Sequence, residues 1–148
     1  MNAALASAAV VVRRTIAASA EDLFDAWLDP EALAQWMRPG TIQSTVARVE
    51  PHVGGSYEIT MQAASGPILH KGVYRIIDRP TRLAFTWITA FTENQETLVT
   101  VDFIRLGQRT EVVVTHEQLP ESARPSHHKG WTSGLEHLDE ACQKGLIR

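Results

Sequence analysis

The region from Thr41 to Glu117 constrains the fold most, because short β-branched and aromatic runs alternate there with Gly, Pro and Asn/Asp turns at intervals of roughly ten residues. A parallel strand pair needs a crossover of about a dozen residues or more, and the connections here are too short for that. The pattern therefore predicts an antiparallel meander of six strands, at about residues 42–50, 55–63, 68–78, 82–90, 96–106 and 109–117.

The segment before the meander combines one strand with two helix starts. Val10–Ile16 is a β-branched run that is typical of a strand. Ser19, followed by two acidic residues, indicates a helix start, and Asp29-Pro30 indicates a second one that ends near Pro39-Gly40. We therefore expect a strand and then two short helices ahead of the meander.

The tail of the chain has helical periodicity. Trp131, Leu135, Leu138 and Cys142 fall on one face of a helix, and a long helix with one apolar face is the natural cover for the buried side of a sheet. The sequence thus predicts an α+β fold, in which a curved seven-stranded antiparallel sheet surrounds a long C-terminal helix. We expect residues 1–9 to be a flexible N-terminal segment and residues 10–145 to form a single domain.

Composition excludes several functional classes. The 148 residues carry 14 Lys+Arg against 17 Asp+Glu, and no basic cluster is longer than Arg13-Arg14. This charge balance predicts no basic surface patch that would attract nucleic acid or an anionic membrane. No apolar stretch approaches the roughly 20 residues of a membrane span, and Met1–Val12 lacks the basic start of a signal peptide. We expect a cytoplasmic protein that binds neither nucleic acid nor membrane.

Strand alternation predicts which side chains face the helix. In the strand at 68–78, Lys71 and Arg75 prefer water, which sends His70, Tyr74 and Ile76 inward. The same argument applied to every strand, with two helices added, gives the predicted ligand-contacting set: Trp36, Tyr57, Ile59, Met61, His70, Tyr74, Phe85, Trp87, Val99, Val101, Phe103, Val114, His116, Trp131 and Leu135.

This inward set predicts an internal cavity, because a curved sheet around one helix leaves space unless large side chains fill it. A mostly apolar wall with a few polar groups is typical of a site for a hydrophobic or aromatic small molecule. His70 and His116 are the imidazoles that alternation points inward, and they are the candidate general bases if the site is catalytic. The alternative interpretation is that the aromatic residues are ordinary core.

Other kinds of site find little support. The potential zinc ligands are His127, His128, His137 and Cys142, but His137 lies on the opposite side of the predicted helix from Cys142, so we expect no metal site and no cofactor. Cys142 falls on the apolar face, where an inert buried thiol is the default. Gly54-Gly55 lacks the pattern of a phosphate-binding loop. Gly130 and Gly134, one helical turn apart, either admit a molecule close to the helix backbone or pack against a strand.

Six segments in order carry a resemblance to a known family: 26–36 (AWLDPEALAQW), 53–57 (VGGSY), 72–74 (GVY), 82–87 (RLAFTW), 110–116 (TEVVVTH) and Gly130-Trp131. The sequence resembles the AHSA-like family, the homologues of activators of the heat-shock-protein ATPase. That family lies within the START-like SRPBCC superfamily, which includes the birch pollen allergen. The resemblance implies a helix-grip fold, with the two short helices closing one end.

The resemblance leaves three functions open, because relatives include lipid carriers, polyketide cyclases and domains that contact a chaperone. The leading hypothesis is a binding protein for a hydrophobic small molecule, without a cofactor. The second is a cyclase or hydrolase that uses His70 or His116 as a general base. The third is a protein-interaction module, with homodimerisation left open. Where such sequences often have a second aromatic residue after Trp36, this chain has Met37, which we expect to widen that end of the cavity.

Overall fold

The computed structural model describes residues 9–147, and it confirms the predicted order of elements. Of the segment expected to be flexible, residues 1–8 lie outside the described residues. Single turns of 3₁₀ helix at Ala90–Thr92 and Glu121–Ala123 follow β5 and precede α3. The main elements are β1 (Val10–Ile16), α1 (Ala20–Ala26), α2 (Pro30–Trp36), β2 (Ser44–Val49), β3 (Ser56–Ala63), β4 (Gly66–Asp78), β5 (Arg82–Thr89), β6 (Thr97–Leu106), β7 (Arg109–Glu117) and α3 (Arg124–Gln143).

Across the described residues, seven strands form one antiparallel sheet in the order β1-β7-β6-β5-β4-β3-β2. The meander β2 to β7 runs in sequence order, and β1 joins it by pairing with β7. An ion pair fastens the long helix to that strand, since Arg14 Nε on β1 donates to Asp139 Oδ2 on α3 at 2.8 Å. The curved sheet with α3 across it is the helix-grip fold that the sequence predicts.

The two short helices begin where the sequence indicates. Ser19 Oγ accepts a hydrogen bond from the Asp22 amide at 3.1 Å, and Asp29 Oδ1 accepts one from the Glu31 amide at 3.0 Å. Both bonds satisfy N–H groups that a helix start otherwise leaves unpaired. The helices are then tied together, because Trp36 Nε1 on α2 donates to the Ala26 carbonyl at the end of α1.

The alternation of buried and exposed side chains holds in most strands, but the prediction that Ile76 faces inward is wrong. In β3, Tyr57, Ile59 and Met61 are all buried, as the pattern requires. Ile76 is 39% exposed, because the pairing of β4 with β5 shifts register between Tyr74 and Ile76. A bulge of this kind inserts one residue and reverses the facing of those that follow.

Candidate functional site

A cavity of about 520 Å³ lies at one end of the sheet. The β3–β4 hairpin, the loop after α2 and the first turns of α3 line it, and Phe91 of the 3₁₀ turn is also part of its wall. Most of the lining is apolar. The lining residues are Met37, Pro39, Gly40, Thr41, Ile42, Met61, Ala63, Ser65, Ile68, His70, Trp87, Phe91, Ser126, His127, Gly130 and Trp131.

The cavity meets only part of the predicted ligand-contacting set, because large side chains fill the middle of the fold. Trp27, the residue that follows α1, stacks on Trp131 with ring centroids 5.9 Å apart and packs edge-on against Trp36 at 4.7 Å. Of the predicted contacts, Met61, His70, Trp87 and Trp131 lie on the cavity wall. The others are buried in the core outside this wall: Trp36, Tyr57, Ile59, Tyr74, Phe85, Val99, Val101, Phe103, Val114, His116 and Leu135.

Two predicted polar contacts, Tyr57 and Tyr74, belong to a packed aromatic cluster. Their rings lie 5.5 Å apart, and Phe85 packs against both. The Tyr57 hydroxyl donates to the Thr86 carbonyl at 2.6 Å, and burial raises the pKa of both tyrosines. The adjoining void measures only about 10 Å³, which is at the lower limit of the space that a single water molecule needs. These hydroxyls therefore do not face the large cavity.

His116 is held in a closed hydrogen-bond chain behind the cavity wall. Trp131 Nε1 donates to His116 Nδ1 at 3.0 Å, so the His116 proton is on Nε2, which donates to Thr97 Oγ1 at 2.8 Å. The Thr97 hydroxyl then donates to the Trp87 carbonyl at 2.7 Å. Desolvation lowers the pKa of His116 to about 3. Because both ring nitrogens are engaged, His116 orients the two wall tryptophans and has no free lone pair.

His70 and His127 stand on the wall itself. His70 comes from β4 and packs against Trp87 with ring centroids 4.8 Å apart. His127 comes from the first turn of α3, and its ring meets His116 edge-on at 5.1 Å. Desolvation lowers the pKa of His70 to about 4 and also lowers that of His127. Both imidazoles are therefore neutral near pH 7.

Sequence reasoning missed His127 and Phe91 as wall residues. His127 flanks the apolar face of α3, and the sequence argument considered it only as a metal ligand. Phe91 lies in the β5–β6 connection, where no strand alternation applies, and it is 55% exposed. Met37 does line the cavity, at the end where the sequence places it. The position of Phe91 beside the β3–β4 hairpin depends on how β4 and β5 pair, which composition does not reveal.

The glycines of α3 have different surroundings. A Cβ added at Gly130 would meet no atom within 4 Å, and Gly130 lines the cavity. At Gly134 an added Cβ would lie 3.8 Å from the Trp36 ring, which is ordinary contact. Gly130 thus leaves open space beside the helix backbone, whereas Gly134 packs against α2 and not against a strand.

The remaining reactive groups offer no second site. Burial raises the pKa of the Cys142 thiol to about 11, so it is protonated and unreactive. Within residues 9–147, no three His, Cys, Asp or Glu side chains are grouped as metal ligands. No helix of that part of the chain is both long and apolar enough to cross a membrane.

The chain matches a known protein family in sequence and several solved structures in fold. The sequence model of the family described as "Activator of Hsp90 ATPase homolog 1-like protein" matches residues 17–143. Protein CV1439 from Chromobacterium violaceum has a similar structure, with a TM-score of 0.79 and 24% identity over 90% of this chain and 96% of its own. Ms6760 from Mycobacterium smegmatis has a TM-score of 0.81 and 14% identity over 95% and 94%. No curated protein sequence matches the chain.

Proposed function

This chain belongs to the family of Activator of Hsp90 ATPase homolog 1-like proteins, and we propose that it binds a hydrophobic or aromatic small molecule in the cavity beside Trp87 and Trp131. The observation that carries the proposal is the cavity itself. Its volume of about 520 Å³ falls within the range of roughly 300–1,000 Å³ that is common for small-molecule sites. Its walls are mainly apolar, with a few polar groups that can orient a ligand.

Burial of apolar surface supplies most of the expected affinity, at roughly 25 cal/mol per Å² removed from water. Trp87 and Trp131 are 4% exposed, and His116 and Thr97 hold their positions, so this part of the wall is already formed before a ligand arrives. A preformed wall reduces the entropy lost on binding. Phe91 is 55% exposed on the cavity lining, where a bound ligand would shield it.

The proposal is tested by filling the cavity from Gly130, where an added side chain has room. We expect Gly130→Leu to weaken binding of the neutral fluorophore N-phenyl-1-naphthylamine at least tenfold in a fluorescence titration, and Gly130→Ala to weaken it less. Lys129→Leu is the matched control, because it adds the same side chain at the neighbouring exposed position. Wild-type protein that fails to bind the fluorophore, or equal binding by Gly130→Leu, would contradict the proposal.

A second candidate function is proton-transfer catalysis, which the two neutral wall histidines favour. A neutral imidazole that faces a bound molecule can act as a general base. His70 stays a candidate for that role, whereas His116 has both nitrogens engaged and is a poor one. The two functions differ in what happens to the ligand: a binding protein returns it unchanged, and an enzyme returns a product of different mass or proton content.

A further inference from the structure

The two wall histidines can offer hydrogen-bond acceptors to a ligand, because the Nδ1 atom of each ring lies near a backbone carbonyl oxygen. His127 Nδ1 lies 2.8 Å from the Ala123 carbonyl oxygen, and His70 Nδ1 lies 3.4 Å from the Ile59 carbonyl oxygen. A carbonyl oxygen only accepts, so each Nδ1 must donate. In a neutral imidazole the other nitrogen, Nε2, then carries a lone pair and acts as an acceptor.

Among residues 9–147, His127 Nε2 has no hydrogen-bond partner, whereas the His70 ring also lies within hydrogen-bond reach of the Ile68 backbone. Two other polar side chains of the wall, Trp131 and Ser126, already donate hydrogen bonds within the protein, whereas the Thr41 and Ser65 hydroxyls, which also line the cavity, are exposed to solvent. Trp131 Nε1 donates to His116, and the Ser126 hydroxyl donates to the Ala123 carbonyl at 3.1 Å. The Trp87 indole N–H has no partner in the described chain, but its nitrogen is shut off from solvent. Apart from the exposed Thr41 and Ser65 hydroxyls, the wall therefore offers histidine acceptors and no accessible indole donor.

We infer that the cavity selects hydrophobic molecules that carry a hydroxyl group, in particular phenols, which donate a hydrogen bond to Nε2 of His127 or His70. The inference rests on the proposed function and adds a ligand class to it. A pure hydrocarbon leaves both acceptors unpaired in a desolvated site, and a ketone or ether brings another acceptor against them. A hydroxyl group supplies the missing donor, and the hydrocarbon frame fills the apolar remainder of the wall.

Three ligands that share one ring system separate these possibilities: 2-naphthol, 2-methoxynaphthalene and 2-methylnaphthalene. Of these, 2-naphthol alone has a donor, and 2-methoxynaphthalene has an oxygen that can only accept. We expect 2-naphthol to displace N-phenyl-1-naphthylamine from the wild-type protein with about tenfold higher affinity than either of the others, which corresponds to one net hydrogen bond. Hydrophobicity alone would give the reverse order, because the hydroxyl makes 2-naphthol the most water-soluble of the three.

Substitutions at the histidines locate the contact. Asparagine reproduces a donor near the Nδ1 position but places nothing at Nε2, whereas glutamine can present an amide oxygen there. We expect His127→Asn, His70→Asn or the double variant to abolish the advantage of 2-naphthol while 2-methylnaphthalene still binds. His127→Gln should restore part of the advantage that His127→Asn loses. Binding of 2-methylnaphthalene also verifies that each variant is folded.

The outcomes distinguish the two proposals. Equal affinities for the three ligands in the wild-type protein, or an advantage of 2-naphthol that survives the double asparagine substitution, would overturn the inference and leave the binding function standing. If none of the three ligands displaces the fluorophore, and the fluorophore itself does not bind, the proposed function fails. The wild-type comparison decides the matter even if a histidine variant does not fold.

Discussion

At the scale of single residues, the histidines of the interior have two different roles: one stabilises the cavity wall, and two are placed to contact a ligand. His116 is fully enclosed and links Trp131 to Thr97, whereas His70 and His127 line the cavity. Sequence alternation correctly points His70 and His116 inward, but it does not separate these roles. The difference depends on which nitrogen meets which neighbour, and those neighbours come from strands and a helix that are distant in sequence.

The pH dependence of stability follows from these histidines. The folded-state pKa is about 4 for His70 and about 3 for His116, against an ordinary value of 6.5. Between pH 5 and 6.5 the unfolded chain therefore binds protons that the folded chain does not, so stability rises with pH and levels off above about 6.5. We expect the free energy of unfolding, measured by urea titration, to fall by about 1.6 kcal/mol per buried histidine between pH 6.5 and 5.

Matched variants assign this pH dependence. His70→Asn should remove the share of one histidine, and Gly130→Ala, which changes no titratable group and whose added Cβ meets no atom within 4 Å, should leave the slope unchanged. Between pH 5 and 6.5 most carboxylates are ionised in both states, so they contribute little to the slope. A free energy of unfolding that is constant across this range would show that the histidines are not desolvated as the structure describes.

At the scale of elements, Gly72 fixes how closely β4 and β5 approach. A Cβ at this position would lie 1.9 Å from the Thr86 carbonyl oxygen and 2.8 Å from the Tyr57 ring. We expect Gly72→Ala to destabilise the protein by more than about 3 kcal/mol in urea unfolding, because strand backbone cannot move aside cheaply. Gly130→Ala is the control: its Cβ meets no atom within 4 Å, so replacing a helical glycine should stabilise by up to about 1 kcal/mol. Equal stability of Gly72→Ala and the wild type would contradict this account.

Most elements could be predicted from the sequence, because each follows from local signals. The strand predicted at 109–117 coincides with β7. Ser19 and Asp29 are the N-caps of the two short helices, whose starts they predict. The failure at Ile76 has a specific cause. Alternation assumes an uninterrupted pleat, and the register shift after Tyr74 arises from the pairing of β4 with β5, which no single strand encodes.

At the scale of the whole molecule, the sequence predicts that a cavity exists but not how long it is. Alternation gives the face of the sheet on which a side chain lies, not its distance from α1 and α2. Trp27, just after α1, packs against Trp131 of α3 and Trp36 of α2, and these rings fill the space that the inward set was expected to leave open. The remaining cavity is therefore confined to the end formed by the β3–β4 hairpin, Met37 and His127.

The most direct test of the cavity uses the four tryptophans of the chain, whose indole N–H groups give separate signals in ¹H–¹⁵N NMR spectra. Trp87 and Trp131 line the cavity, whereas Trp36 is packed away from it with Nε1 bonded to the Ala26 carbonyl. On titration with 2-naphthol, we expect the Trp87 and Trp131 signals to move together along one saturable binding curve while the Trp36 signal stays in place. Saturable movement of the Trp36 signal without movement of Trp87 and Trp131, or no saturable change in any of the four, would contradict a binding site in this cavity.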